Sequence, residues 1–132
     1  WTLPPKMVGM QPRRPNWRTI RAALWERCGG RCEVSGRPLD PDTFDAHHRR
    51  LKGMGGTSRP DRDSLSNLIA LDPQVHNGGP QSVHGRGGYD GWSMANGYIV
   101  PKHDNRTGLV PVHLHDDRWV LLTVAGGYTL IG

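Results

Sequence analysis

Asp45-Ala46-His47-His48-Arg49-Arg50, followed after a long polar loop by Ser66-Asn67-Leu68-Ile69-Ala70-Leu71, is the stretch whose reading decides the fold. Residues 43–48 predict a short strand, with Phe44 and Ala46 on one face and a histidine pair at its end. Residues 67–71 predict a second, apolar strand. The connecting residues 49–66 are rich in charge and glycine (Gly53, Gly55, Gly56), and a loop of that length in a compact domain is usually functional or mobile. Tandem histidines on a strand point to opposite faces. For both to serve one substrate, the strand must end or distort after His48, which the polar loop permits.

Outward from this pair, Asn16 reads as the cap of a helix with Trp17, Ile20, Ala23 and Leu24 at helical spacing, stopped by Gly29-Gly30. Residues 31–39 read as a tight, irregular turn region. Asp72-Pro73 is the cap and first residue of a further helix. A short helix begins near Ser82 and carries His84, although Gly85 and Gly87 are poor helix formers. Residues 109–115 and 118–124 alternate around Asp116-Asp117 as a hairpin would, and residues 98–100 and 128–131 are candidate strands. The fold class expected is therefore α+β in one domain: an extended basic arm over 1–15, a core over 16–100 and a C-terminal β extension over 101–132 packed on the same domain.

Composition narrows the function. The chain has 132 residues, 35% of them apolar, with 18 Gly and 11 Pro, so loops and turns occupy much of it. No run approaches the roughly 20 apolar residues that cross a bilayer, and no secretory signal is visible, so reduced thiols and a cytoplasmic location are expected. The only cysteines, Cys28 and Cys32, are too few for a four-thiolate zinc site and are expected to be small packing residues. Residues 1–62 carry 13 Lys/Arg against 6 Asp/Glu, while residues 63–132 carry 4 against 6. A basic half suits a polyanion, of which nucleic acid is the usual one, and equally a solvated surface. Arg outnumbers Lys 14 to 3, and Arg makes bidentate phosphate contacts that Lys cannot.

Hydrolysis of a phosphodiester needs a base for water, a cation against the charge growing on phosphate, and something to hold both in register. Histidine can be either metal ligand or base. The set His47-His48, Asn67, His76 and His84, in this order, resembles the HNH endonuclease family, most closely the small free-standing proteins of tailed bacteriophages and prophages. The resemblance covers roughly residues 17–100. It implies a ββα-metal fold, in which two strands are joined by an irregular loop and followed by a helix. It assigns His48 as general base and Asn67 as the asparagine that keeps the loop in shape, together the catalytic pair. His47, His84 and His76 become ligands of one divalent ion (Zn, Ni, Mn, Co or Mg) that contacts a phosphate oxygen and stabilises the leaving 3′ oxygen. It implies DNA as substrate, cut with low sequence specificity to a 5′-phosphate and a 3′-hydroxyl. A role in phage DNA processing or packaging follows, inside a bacterial host, with the terminase as a candidate partner. The rival reading is a non-catalytic DNA-binding or terminase-accessory module that keeps its metal for stability.

The chain also departs from the family. Where many members carry a zinc knuckle, the positions read Cys32, Ser35, Asp72 and Val75, so no structural zinc is expected. His76 and His84 stand eight residues apart across Gly78-Gly79-Pro80, where many members place their last two histidines four apart on one helix. Arg49, Arg50 and Arg86 flank the histidines and are expected to bind DNA phosphates; Lys52, Arg59 and Arg62 are weaker candidates. His113 and His115 share one face of the tail hairpin and, like His103, are assigned no function. Asp45 can orient a neighbouring histidine from behind, but is read first as a strand-edge charge; Trp92 and Trp119 are read as core residues.

Overall fold

A computed structural model describes residues 16–50, 61–87, 91–101, 104 and 106–131. The basic arm over 1–15 lies outside the described residues, as do Lys52, Arg59, His103 and the side chain of Arg86. The chain is mixed α+β, with short helices and two small antiparallel sheets.

Helix α1, Trp17–Cys28, starts where Asn16 Oδ1 accepts the Thr19 N–H. It stops at Gly29, whose left-handed φ of 63° lets its N–H reach the Trp25 carbonyl. Leu24 is the one residue of α1 that is fully buried. Strand β1, Asp45–His48, is shorter than the sequence predicts, because the Thr43 and Phe44 N–H groups turn back onto the Asp40 carbonyl. It pairs with β2, Leu68–Leu71, with His47 opposite Ile69 and His48 opposite Leu68. Asn67 is not in the strand; it ends a 3-10 turn, Leu65–Asn67, capped by the Ser64 side chain. All four β2 residues are buried, which explains a continuous apolar run instead of an alternating one. Two short helices follow: α2, Pro73–Asn77, capped by Asp72, and α3, Val83–Gly87.

The rest of the chain closes over this frame. Helix α4, Trp92–Ala95, leads to a stretch where only Val100 pairs, in a parallel bridge to Arg50; residues 98–100 do not form the strand the sequence predicts. The tail hairpin is the first part of a three-stranded sheet, β3 (Val112–His113), β4 (Trp119–Leu122) and β5 (Tyr128–Ile131). Leu24, Cys32, Phe44, Leu68, Ile69, Leu71, Val83, Val112 and Val120 belong to a single buried cluster, so both sheets share one core. Burying each such large side chain stabilises by roughly 1.5–3 kcal/mol. Trp92 packs against this core, but Trp119 does not; it is on the surface, 38% exposed and stacked on His113.

Beside the apolar cluster runs a buried ionic network. Glu33 accepts from Arg27 Nε and Nη2, from the Ala70 N–H and from the Tyr128 hydroxyl. Arg27 also donates to the Leu65 and Leu68 carbonyls. One pair of charges thus ties α1, the 31–38 turn, β2 and β5 together. Cys28 and Cys32 are free thiols, and Cys32 is fully buried in the core.

Candidate metal centre

β1, α2 and α3 bring His47, His76 and His84 together. One nitrogen from each lies within 4.8 Å of the others, the only such group among the described residues. His47 Nδ1 is 3.1 Å from His76 Nε2, and His76 Nε2 is 3.0 Å from His84 Nε2. The rings meet at centroid distances of 4.7–4.9 Å. The eight-residue separation of His76 and His84 proves no obstacle. The Gly78-Gly79-Pro80 turn sets α2 and α3 as separate helices that converge on one point, where an i, i+4 pair would have needed a single helix.

Hydrogen bonds on the far side of the rings set the chemistry of the near side. His47 Nε2 donates to the Tyr98 carbonyl at 2.7 Å, and that carbonyl can only accept. The ring is 2% exposed, and burial pushes its pKa from 6.5 down to about 3. It is therefore neutral, with its lone pair on Nδ1. His76 Nδ1 lies 2.8 Å from Asp45 Oδ2, and a carboxylate holds the imidazole proton there. The Asn77 amide nitrogen, 3.3 Å from the same atom, is the weaker neighbour. In the neutral ring the His76 lone pair is then on Nε2. With His76 neutral, two lone pairs face each other across 3.1 Å, and His84 Nε2 adds a third nitrogen 3.0 Å from His76 Nε2. Partial burial and the neighbouring His76 also hold His84 below the usual imidazole range.

A cation held between the three rings would satisfy these lone pairs. Tetrahedral zinc with nitrogens at about 2.1 Å spaces its ligands about 3.4 Å apart, a few tenths of an ångström from the two spacings through His76, and the third pair lies within 4.8 Å. Three nitrogen ligands leave a coordination position open, and the Asp45–His76 and Tyr98–His47 contacts are the outer hydrogen bonds that usually orient such ligands. The residues fit a divalent metal. Of the two readings of Asp45 from the sequence, the contact with His76 favours the orienting one over a plain strand-edge charge.

His48 ends β1, and its charge when protonated disfavours protonation of His47. His48 Nε2 is 2.7 Å from Asp63 Oδ1, and the Trp17 and His48 rings form a T-shaped pair with centroids 5.8 Å apart. Nothing in the sequence singles out Asp63, fifteen residues away across the loop. Asn67 is fully buried. Its Oδ1 accepts the Arg50 N–H at 2.8 Å, and its Nδ2 donates to the Arg62 carbonyl at 2.7 Å. One side chain thereby fastens both ends of the segment between Arg50 and Arg62.

Two of the arginines expected at phosphate are inside the protein. Arg49 is 0% exposed and donates to the carbonyls of Gly97, Ser66, Thr107 and Val110. Arg50 is 2% exposed and pairs with Asp61, with a further bond to the Asp104 carbonyl. The Arg49 guanidinium is taken up by backbone carbonyls and that of Arg50 by the Asp61 carboxylate and the Asp104 carbonyl, so neither is displayed to a phosphate in this structure. Arg62 is partly exposed and contacts Asp63.

No family model, curated protein or solved structure matches the chain. No helix among the described residues is long and apolar enough to cross a membrane.

Proposed function

We propose that this protein is a metal-dependent DNA endonuclease built on a ββα-metal core of the HNH type, formed by β1, β2 and the helices that follow. The observation that carries this reading is the pairing of a convergent His47, His76, His84 triplet with His48, the next residue of the same strand. A metal held only for stability has no use for a histidine placed there. When bound by the triplet, a divalent ion supplies a Lewis acid for a phosphate oxygen and for the leaving 3′ oxygen. His48 takes one proton from water as the water oxygen bonds to phosphorus in line with the departing group. The P–O3′ bond breaks, the 3′ oxygen acquires a proton from solvent, and His48 releases its own. The products are a 5′-phosphate and a 3′-hydroxyl. Asn67 contributes by holding the loop beside the base, not by touching the substrate. Imidazole ligands suit Zn, Ni, Co and Mn better than Mg.

One observation favours a second reading. His47 is almost completely buried, and an ion there would tie β1, α2 and α3 together, as in a DNA-binding or terminase-accessory module with a structural metal. Supercoiled plasmid incubated with the protein and a panel of divalent ions separates the two. The nuclease reading expects open circles that EDTA and His48→Ala both abolish. An absence of nicking with every ion, in protein that still binds zinc, assigns the structural role.

A further inference from the structure

The loop after β1 delivers a carboxylate to the residue read as the base. His48 Nε2 and Asp63 Oδ1 are 2.7 Å apart, and each side chain is 14% exposed. An exposed ion pair is held loosely and contributes little; this one is short, mostly covered and braced from three sides. Arg62 Nε and Nη2 hold Asp63 Oδ2 at 3.2 and 3.1 Å, which leaves Oδ1 to the imidazole. The Arg62 carbonyl is itself held by Asn67 Nδ2. The Trp17 ring packs T-shaped with the His48 ring, centroids 5.8 Å apart.

We infer that Asp63 is the positioning residue of His48. It holds the ring proton on Nε2, so that Nδ1 is the atom that receives the proton from water. A carboxylate can only accept, so in the neutral ring the proton facing it is on Nε2 and the lone pair on Nδ1. The same carboxylate stabilises the imidazolium formed as the proton arrives, as an orienting acid does behind any histidine base. Asn67 acquires a second duty. Besides closing the loop at Arg50, it anchors the residue next to Asp63 and so sets where the carboxylate stands.

This inference rests on the nuclease reading for its kinetic part alone; the tautomer of His48 is measurable without activity. Long-range proton–nitrogen spectra of protein labelled with nitrogen-15 histidine, with His48→Ala to assign the ring, are expected to show His48 protonated at Nε2. Asp63→Ala is expected to lose that preference, and the near-isosteric Asp63→Asn guards against a folding defect. In the nicking assay, Asp63→Ala should lower kcat about 10–100-fold, the usual range for removing an orienting partner, with KM changed less than twofold. Asp63→Glu should recover part of the loss, and the thermal shift given by zinc should be unaffected. A His48 ring that keeps its Nε2 proton and its full turnover in Asp63→Ala overturns the inference, as does a wild-type ring protonated at Nδ1. If the wild type nicks with no ion, the nuclease reading fails, and the tautomer comparison alone decides whether Asp63 positions the ring.

Discussion

Replacing Arg49 by methionine keeps much of its volume and removes its charge and all of its donors, and the structure makes that change a severe one. Four carbonyls lose a bond: Gly97, Ser66, Thr107 and Val110. Thr107 keeps the Val110 N–H, leaving three acceptors deprived. A buried polar group left unsatisfied costs about 1–3 kcal/mol, so the acceptors alone place the loss at about 3–9 kcal/mol. Part is returned, because burial of the guanidinium is itself unfavourable; it lowers the Arg49 pKa from 12.5 to about 10, still charged at neutral pH. The net expectation for Arg49→Met is about 3–5 kcal/mol, against about 5–15 kcal/mol for a whole domain. Gly97 packs so closely on Pro111 that a Cβ there would clash. Urea unfolding with EDTA present measures the difference. A change below about 1 kcal/mol refutes the structural account of Arg49. If DNA binding weakened at unchanged stability, with a shallower salt dependence, Arg49 would be a phosphate ligand after all.

Zinc at a hundred times its dissociation constant should stabilise the protein by about 2.7 kcal/mol, a melting-temperature rise on the order of 10 °C for a chain of this size. Calorimetry of His76→Ala and His84→Ala should show that rise lost; an undiminished shift would place the metal elsewhere. The metal-free protein should also weaken in acid. His47 has a pKa of about 3 folded and an ordinary value of 6.5. Between these values the unfolded chain binds a proton that the folded one does not. Stability therefore falls as pH drops from 6.5 toward 3, by at most about 1.4 kcal/mol per unit from this ring. Urea melts in EDTA across that range should give a flatter profile for His47→Gln; parallel profiles contradict the assignment. Glu33→Ala strands a buried Arg27, side chain 1% exposed, and should cost about 3–5 kcal/mol. Tyr128→Phe removes a single hydroxyl from the same carboxylate and should cost about 1–2 kcal/mol. Equal losses in the two variants would mean that the ion pair contributes nothing beyond the tyrosine bond.

What was legible in the sequence is what local rules govern. Asn16 and Asp72 cap helices because a short acceptor before an N-terminal turn has few other uses, and Gly29 stops α1 because its φ is left-handed. The histidines at the end of β1 and in α2 and α3 were visible as a set, and those of the triplet meet in space. The misreadings share a different cause. The fate of Arg49 and Arg50 depends on carbonyls up to 61 residues away, and nothing near them in sequence marks them as buried. Asp63 lies across the loop from His48, so only the fold shows that they touch. Trp119 has the alternation of a core strand, but β4 presents it to solvent beside His113. In each case the deciding partner is distant in sequence, and pattern has no access to it.

The buried arginines also change what the charge distribution means. A chain with 18 Gly and 11 Pro has many carbonyls outside helices and ladders, and buried ones need donors. Arginine carries five N–H donors in a planar fork, whereas lysine presents three at one point. Arg21 takes the Phe44 and Pro41 carbonyls, Arg27 those of Leu65 and Leu68, Arg31 that of Gly36, and Arg49 four more. The preference for arginine over lysine thus has a cause in the fold itself, and the excess charge of residues 1–62 overstates the charge available to a polyanion. Composition alone therefore argues for DNA less strongly than the counts imply. The weight falls on the histidines, where Tyr98 and Asp45 turn the lone pairs of neutral His47 and His76 toward each other and toward His84. A cation held between the three rings would satisfy those lone pairs, which is the property a metal site needs.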